Sequence, residues 1–295
     1  MPDVAVVTDT THYLPRALLD AAGVQQVSLY VNEGERTERE AAMADFGAFY
    51  ARMGGADVLP TTSQPSIGDF LEVYEPLLAA GRDIVSIHLS GAISGTVASA
   101  QQAAADALAR HRGRRVDVVD SVTTCGGLGA VVLGASAVAR AGGDAAAVRA
   151  RAEALRDHVR IWFAVDTLEF LRRGGRIGGA QAWIGGALKI KPILALVDGE
   201  VAPVERVRTQ GRAFERMVDF LRDRRDAGAT AWMVQHIRAP EQAERLVERG
   251  RELFGTEPLF VSEIGPVIGA HAGPGLLGVS GVEPRLLEPA GGPSR

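Results

Sequence analysis

Between residues 4 and 119 the chain alternates short apolar runs with helix-length patterns, and no other feature narrows its fold so far. Residues 4–7, 84–89 and 116–119 read as strands, each apolar almost throughout. Helical patterns cover about 15–22, 45–53, 70–80 and 95–110, the last rich in alanine. Strands without a polar face belong in a mainly parallel sheet covered by helices on both sides. Residues 121–139 carry no charge and approach the length that spans a bilayer. Glycine, alanine, serine and threonine dominate that stretch, however, so a helix packed tightly against the sheet is the better reading. Gly142-Gly143-Asp144 interrupts the pattern, and a charged helix follows over 145–158.

A second α/β unit is expected from residue 159. Its strands fall at 161–165, 193–197, 201–207, 231–235 and 259–261, and its helices at 212–225 and 241–254. Pro240 occupies a favoured helix entry. Two further strand-like pieces, 267–270 and 276–280, flank His271-Ala272-Gly273-Pro274-Gly275. The expected division is 1–158, 159–283 and a loose Pro- and Gly-rich tail at 284–295. A chain of 295 residues with 46% hydrophobic content has ample material for two cores. Net charge of −4 argues against nucleic acid as a partner. The lone Cys125 excludes an internal disulfide and, with no signal-peptide pattern at Met1-Pro2-Asp3-Val4, suits the cytoplasm.

Chemistry is sparse. The Gly-Lys-Ser/Thr phosphate loop and the Gly-x-Gly-x-x-Gly turn are both absent, so ATP is not an expected ligand. The histidines share no metal-ligand spacing, and no metal or cofactor is expected. Two hydroxyl-rich segments stand out, Thr61-Thr62-Ser63-Gln64-Pro65-Ser66 and Ile93-Ser94-Gly95-Thr96, each ahead of a helical pattern. Helix N-termini hold anions through unpaired N–H groups, so Thr62 and Ser94 are candidates to cradle one carboxylate. Ser66 and Asp69 resemble a capping box. Asp9, at the end of the first strand, reads as a turn cap or a ligand-shaping group in preference to an aspartyl nucleophile. Ser94 with His271, oriented by Asp120 or Asp166, is the alternative: a serine esterase or thioesterase. The Gly-x-Ser-x-Gly elbow is missing, and the plainer reading of Ser94 is a helix N-cap. Arg172-Arg173-Gly174-Gly175-Arg176 is either a solvated helix end or a site for phosphate or an acidic partner. Residues 183–188 and 190–193 offer large apolar groups beside glycines, as core or as tunnel wall.

Taken in order, several segments resemble the DegV family of fatty-acid-binding proteins. They are Val6-Val7-Thr8-Asp9-Thr10-Thr11, Thr62-Ser63-Gln64-Pro65-Ser66, Ile93-Ser94-Gly95-Thr96 and Val119-Asp120-Ser121. The set continues with Leu168-Glu169-Phe170-Leu171-Arg172-Arg173-Gly174-Gly175-Arg176-Ile177, Lys189-Ile190-Lys191-Pro192-Ile193 and His271-Ala272-Gly273-Pro274-Gly275. The resemblance implies two α/β domains with a long-chain fatty acid such as palmitate between them. It places the carboxylate at Thr62, Ser94 and Gly95 with His271 nearby, and the acyl tunnel along the second domain. It also implies a binding subunit, not itself an enzyme. A separate ATP-dependent kinase would phosphorylate the bound acid for phospholipid synthesis. Beside that implication, Arg173 and Arg176 are candidates to dock the kinase or steady phosphate. Two positions depart from the family pattern: Ser90-Gly91-Ala92-Ile93 ahead of the Ser-Gly-Thr segment, and His12 in the first motif.

Overall fold

A computed structural model describes residues 3–54, 58–184 and 190–289. The chain divides into two units, one of Met1–Leu29, Gln64–Val159 and Glu283–Arg295, the other of Tyr30–Ser63 and Arg160–Val282. This differs from a split at 158/159 on two counts. Residues 30–63 belong to the second unit, and the start of the tail belongs to the first, where the Arg151 guanidinium donates to the carbonyls of Leu286 and Glu288.

In the first unit, β1 (Val4–Asp9), β2 (Gln25–Val27), β6 (Asp83–His88) and β7 (Val116–Asp120) form a parallel sheet in the order β2-β1-β6-β7. Helix α1 (Arg16–Ala22) links β1 to β2. Helices α3 (Ile67–Ala79) and α4 (Thr96–Arg110) cover one face, where Phe70, Tyr74 and Leu78 meet Ala5, Val7 and four alanines of α4. Helices α5 (Cys125–Arg140) and α6 (Ala145–His158) pack on the sheet as well. The uncharged stretch is therefore α5, buried along almost all its length, and no helix among the described residues is long and apolar enough to cross a membrane. Small side chains are what permit that packing: a Cβ on Gly134 would lie 2.2 Å from a methyl of Leu155.

The second unit holds two sheets. β3 (Tyr30–Glu33), β4 (Arg36–Arg39) and β5 (Thr61–Ser63) form an antiparallel sheet in the order β4-β3-β5, with α2 (Phe46–Gly54) between β4 and β5 in sequence. β8 (Arg160–Ala164), β9 (Lys191–Val197), β10 (Glu200–Val207), β11 (Ala231–His236), β12 (Phe260–Glu263) and β13 (Leu277–Val282) form the other. Its order is β10-β9-β8-β13-β11-β12, antiparallel except for β11 and β12. Short α7 (Glu169–Arg173) follows β8, and α8 (Gln210–Asp226) and α9 (Pro240–Phe254) bury their apolar faces around Trp232 and Leu221. Residues 267–270 are not a strand but part of α10 (Pro266–Ala272). Helix α2 matches the helical pattern at 45–53, but the three strands around it have no counterpart in the sequence pattern. Strands of three and four residues give almost no periodic signal.

Gly250 on α9 yields one stability prediction. Helix propensity alone favours alanine over glycine by about 1 kcal/mol. A Cβ here, however, would lie 2.3, 2.4 and 3.0 Å from three carbons of the fully buried Trp232 ring. That ring also stacks on Phe254 and has little room to yield. Gly250→Ala is expected to destabilise by about 1–3 kcal/mol, the usual penalty for overpacking. Guanidinium unfolding followed by tryptophan fluorescence measures it, and a gain in stability would show the ring to be movable.

Candidate functional site

The second unit builds a hydroxyl–imidazole pair from segments far apart in sequence. Helix α10 starts at Pro266, and buried Glu40 accepts a hydrogen bond from the Val267 N–H at 2.8 Å. The Tyr50 hydroxyl lies 2.8 and 3.0 Å from the carbonyl oxygens of Ile264 and Gly265, and donates there. Its ring occupies the space where a Cβ on Gly269 would stand, 2.0 Å from the hydroxyl oxygen. These contacts from residues 40 and 50 fix the helix and explain why an apolar tetrapeptide resembling a strand is helical. The helix ends at Gly273 (φ 77°), where the Phe170 ring leaves no space for a side chain.

His271 therefore sits on the last turn of α10, with Nε2 2.7 Å from Thr62 Oγ1 on β5. On its other side the ring lies against Gly174, whose carbonyl accepts from Arg176 Nη1 at 2.7 Å. Burial, and secondarily the Arg176 charge, push the His271 pKa down to about 4, against a smaller opposing effect of a backbone interaction at Gly174. The ring is neutral at pH 7. When Nε2 carries the proton, it donates to Thr62 Oγ1 and leaves the threonine hydroxyl free to donate onward.

The basic loop thus has two parts. Arg172 and Arg173 pair with exposed Glu169 at 2.6 and 3.6 Å, the ordinary arrangement of a helix end. Arg176, also exposed, reaches back to the backbone that supports His271. The loop and the histidine are one structural feature, which the sequence does not reveal.

In the first unit, the sheet order reverses between β1 and β6, and ligands in such folds usually sit outside the carboxyl ends of strands at that point. Residues 89–95 follow β6 at that end. Ser94 is not the N-cap of α4; Gly95 is, and Ser94 Oγ lies 3.3 Å from the Thr96 N–H and 2.9 Å from Thr96 Oγ1. The serine hydroxyl still stands beside the open end of a 15-residue helix. Gln64, in the same unit, packs on Gly95, where a Cβ would meet its amide at 2.9 Å. The helix-end argument does not apply to Thr62, which lies in a strand opposite Val31, while Ser66 caps α3 in a complete capping box with Asp69.

Asp9 is wholly buried and accepts from the Thr11 N–H and Oγ1, from His88 Nδ1 and from the Leu89 N–H. Burial opposes its charge, but the His88 interaction and the other hydrogen bonds outweigh it, so the carboxyl stays below its ordinary value. A carboxylate so engaged is no nucleophile. Asp120 accepts from the N–H groups of Gly91 and Val122, and Asp166 pairs with Lys191 at 2.6 Å. Both are committed to structure. Of the apolar segment at 183–188, residues 185–188 lie outside the described residues, as does Lys189.

Comparison with known proteins agrees with the ordered motifs. A model of the DegV family, described as uncharacterised, matches residues 3–283. The chain belongs to the DegV family. A DegV domain-containing protein of Streptomyces coelicolor is 40% identical over 94% of this chain and 97% of its own. Protein DegV of Bacillus subtilis is 35% identical over 94% and 98%. Among solved structures, a DegV family protein from Thermus thermophilus, described by its fatty acid binding, superposes with a TM-score of 0.85. It is 35% identical and covers 96% of this chain and 100% of its own. DegV from Bacillus subtilis, described as a fatty acid binding protein, gives 0.83 at 34% identity, with 96% and 100% covered. Glu40 and Tyr50, which hold α10, belong to none of the segments that carry the resemblance, and Gly174, which does, gives no sign in the sequence that it lies against His271. Only the unusual burial of an acidic residue and the proximity of glycines to aromatic rings could reveal them, and neither is visible in one dimension.

Proposed function

We propose that this DegV-family protein binds one long-chain fatty acid, palmitate-like in class, with its carboxylate at Thr62, Ser94 and the Gly95 backbone. His271 acts behind Thr62. The observation that carries the reading is the Thr62–His271 hydrogen bond at 2.7 Å to a ring kept neutral. A neutral imidazole orients the threonine hydroxyl toward an anion without a competing fixed charge. The fatty acid binding described for the Thermus and Bacillus proteins supports the ligand class. In this reading residues 1–158, less the 30–63 segment, supply the Ser94 loop, and the second unit supplies Thr62, His271 and the wall of the acyl tunnel. Each buried methylene contributes about 0.8 kcal/mol, so the tail supplies most of the affinity and the hydroxyls fix the head group.

The further step is transfer. The protein presents the carboxylate to a separate cytoplasmic kinase, which forms an acyl phosphate for phospholipid synthesis, and Arg173 and Arg176 meet phosphate or that partner. The missing ATP motifs support this division of labour. His271 engages Thr62 and Ser94 Oγ turns to Thr96, so nothing favours the esterase reading.

Native mass spectrometry of the purified protein, followed by extraction, is expected to find a stoichiometric fatty acid. A protein that is empty and takes up no added fatty acid overturns the proposal. Ser94→Ala is expected to weaken binding about tenfold, the value of one hydrogen bond to a charged group, with the fold unchanged. Fluorescent fatty-acid displacement measures it.

A further inference from the structure

Two carboxylates bracket the loop that carries Ser94. Residues 89–94 follow β6, and their backbone N–H groups are tied down one after another. Leu89 donates to Asp9 Oδ2 at 2.9 Å, Ser90 to the Thr123 carbonyl at 2.8 Å, and Gly91 to Asp120 Oδ2 at 3.1 Å. Ala92 donates to Ser90 Oγ, and both Ile93 and Ser94 donate to the Ser90 carbonyl at 3.2 Å. Asp9 ends β1 and Asp120 ends β7, the two strands on either side of β6. The space at Gly91 is shaped by this arrangement, since a Cβ there would lie 2.8 Å from Asp120 Oδ2. That explains the glycine of the Ser90-Gly91-Ala92-Ile93 departure.

Asp9 is held in turn by a buried chain. His88 Nδ1 is 3.1 Å from Asp9 Oδ2, His88 Nε2 is 2.7 Å from Ser86 Oγ, and Ser86 Oγ is 2.7 Å from the Tyr74 hydroxyl. Asp9 can only accept, so Nδ1 carries a proton. In the neutral ring Nε2 then accepts from Ser86, which accepts from Tyr74, and the chain has a single polarity. Ser86, His88 and Asp9 reproduce the order of a hydrolytic triad. All three are fully buried and Tyr74 closes the serine, so the chain orients Asp9 and does no chemistry.

We infer that Asp9 and Asp120 are positioning residues for carboxylate recognition, fixing the 89–94 segment so that Ser94 and the start of α4 meet the ligand already aligned. This rests on the proposed fatty-acid site. Electrostatics sharpens the inference, because a negative charge beside an anion site lowers its affinity. Two carboxylates at the loop that binds an anion make sense for what they hold, not for what they attract.

The test therefore has a sign. Asp9→Asn and Asp120→Asn are near-isosteric and each removes one negative charge. If charge alone mattered, fatty-acid binding would tighten. Positioning predicts binding about tenfold weaker for Asp9→Asn, and faster amide exchange at Leu89, Gly91 and Ser94. In a Ser94→Ala background the Asp9→Asn change is expected to cost clearly less than in wild type, since part of its effect runs through the Ser94 hydroxyl. A full, additive loss in that background marks a general structural defect and overturns the inference, as does tighter or unchanged binding. Should Asp9→Asn fail to fold, half-buried Asp120→Asn carries the same cycle, with the same results for and against. A wild-type protein that binds no fatty acid defeats the site itself and the inference with it. A wild type that binds, beside variants that bind equally well, defeats the inference alone.

Discussion

Gly174→Ala is expected to weaken fatty-acid binding on the order of a hundredfold while leaving the unfolding midpoint almost unchanged. Gly174 lies at φ −75° and ψ −7°, where alanine is at ease, so the backbone itself raises no objection. A small gain from the unfolded state accompanies any such change. The added methyl would stand 2.2 Å from His271 Nδ1 and 3.1 Å from the Phe170 carbonyl. The imidazole must swing away, and its 2.7 Å contact with Thr62 goes with it. Losing an oriented donor to a charged ligand removes about 1.5–3 kcal/mol, which at its upper end is the predicted effect. Calorimetric titration with a fatty acid measures the affinity, and thermal unfolding the stability. His271→Ala makes room for the methyl, so the double variant should bind no worse than His271→Ala alone. Wild-type affinity in Gly174→Ala would mean that the position of the ring does not matter for the head group.

How much of this is legible in the sequence follows from the range of each interaction. The first unit's strands and helices can be read because each is a local pattern: apolar runs, an alanine-rich face, a capping box at Ser66 and Asp69. Ser94 can be placed beside a helix end for the same reason, to within one residue of its cap. Thr62 stands out as a hydroxyl of interest but for the wrong physical reason, since it lies in a three-residue strand and owes its setting to His271, 209 positions away. The excursion of residues 30–63 into the second unit is invisible. It depends on Glu40 and Tyr50 meeting α10 more than two hundred residues later, and no periodicity records such a contact. The same holds for 267–270, whose β-branched and small residues suit a strand until Glu40 supplies a partner for the Val267 N–H. Asp9 reads as a turn cap, and it does accept from Thr11, but its contact with Leu89 requires knowing that β1 and β6 are neighbours.

Acidification should destabilise the protein well before its carboxylates titrate. His12 and His271 both have pKa values pushed down to about 4, in each case chiefly by burial. The unfolded chain binds a proton on each near pH 6.5, whereas the folded chain refuses it until about pH 4. Above pH 6.5 both states are neutral there and the histidines contribute no pH dependence. Between about 6.5 and 4 the unfolded state holds more protons, so stability falls as pH falls, and the full loss is reached below the folded value. At about 1.4 kcal/mol for each pH unit separating the folded and unfolded values, each histidine accounts for about 3.5 kcal/mol in full, of which about 2.5 kcal/mol is lost by pH 4.5. Asp9 extends the loss to lower pH, since its folded pKa lies below the ordinary one and its contribution disappears as it is protonated. All three tryptophans, Trp162, Trp183 and Trp232, lie in the second unit with His271, so their fluorescence reports on that unit. Guanidinium titrations at about pH 7.5 and 4.5, either side of most of that window, followed by tryptophan fluorescence, are expected to show a drop of that size in wild type and a flatter dependence in His271→Gln. His12→Gln should likewise flatten the pH dependence, followed by the loss of helical circular dichroism. Equal stability at the two pH values would mean that both rings titrate near their ordinary value in the folded protein, so that His271 gains its proton below about pH 6.5.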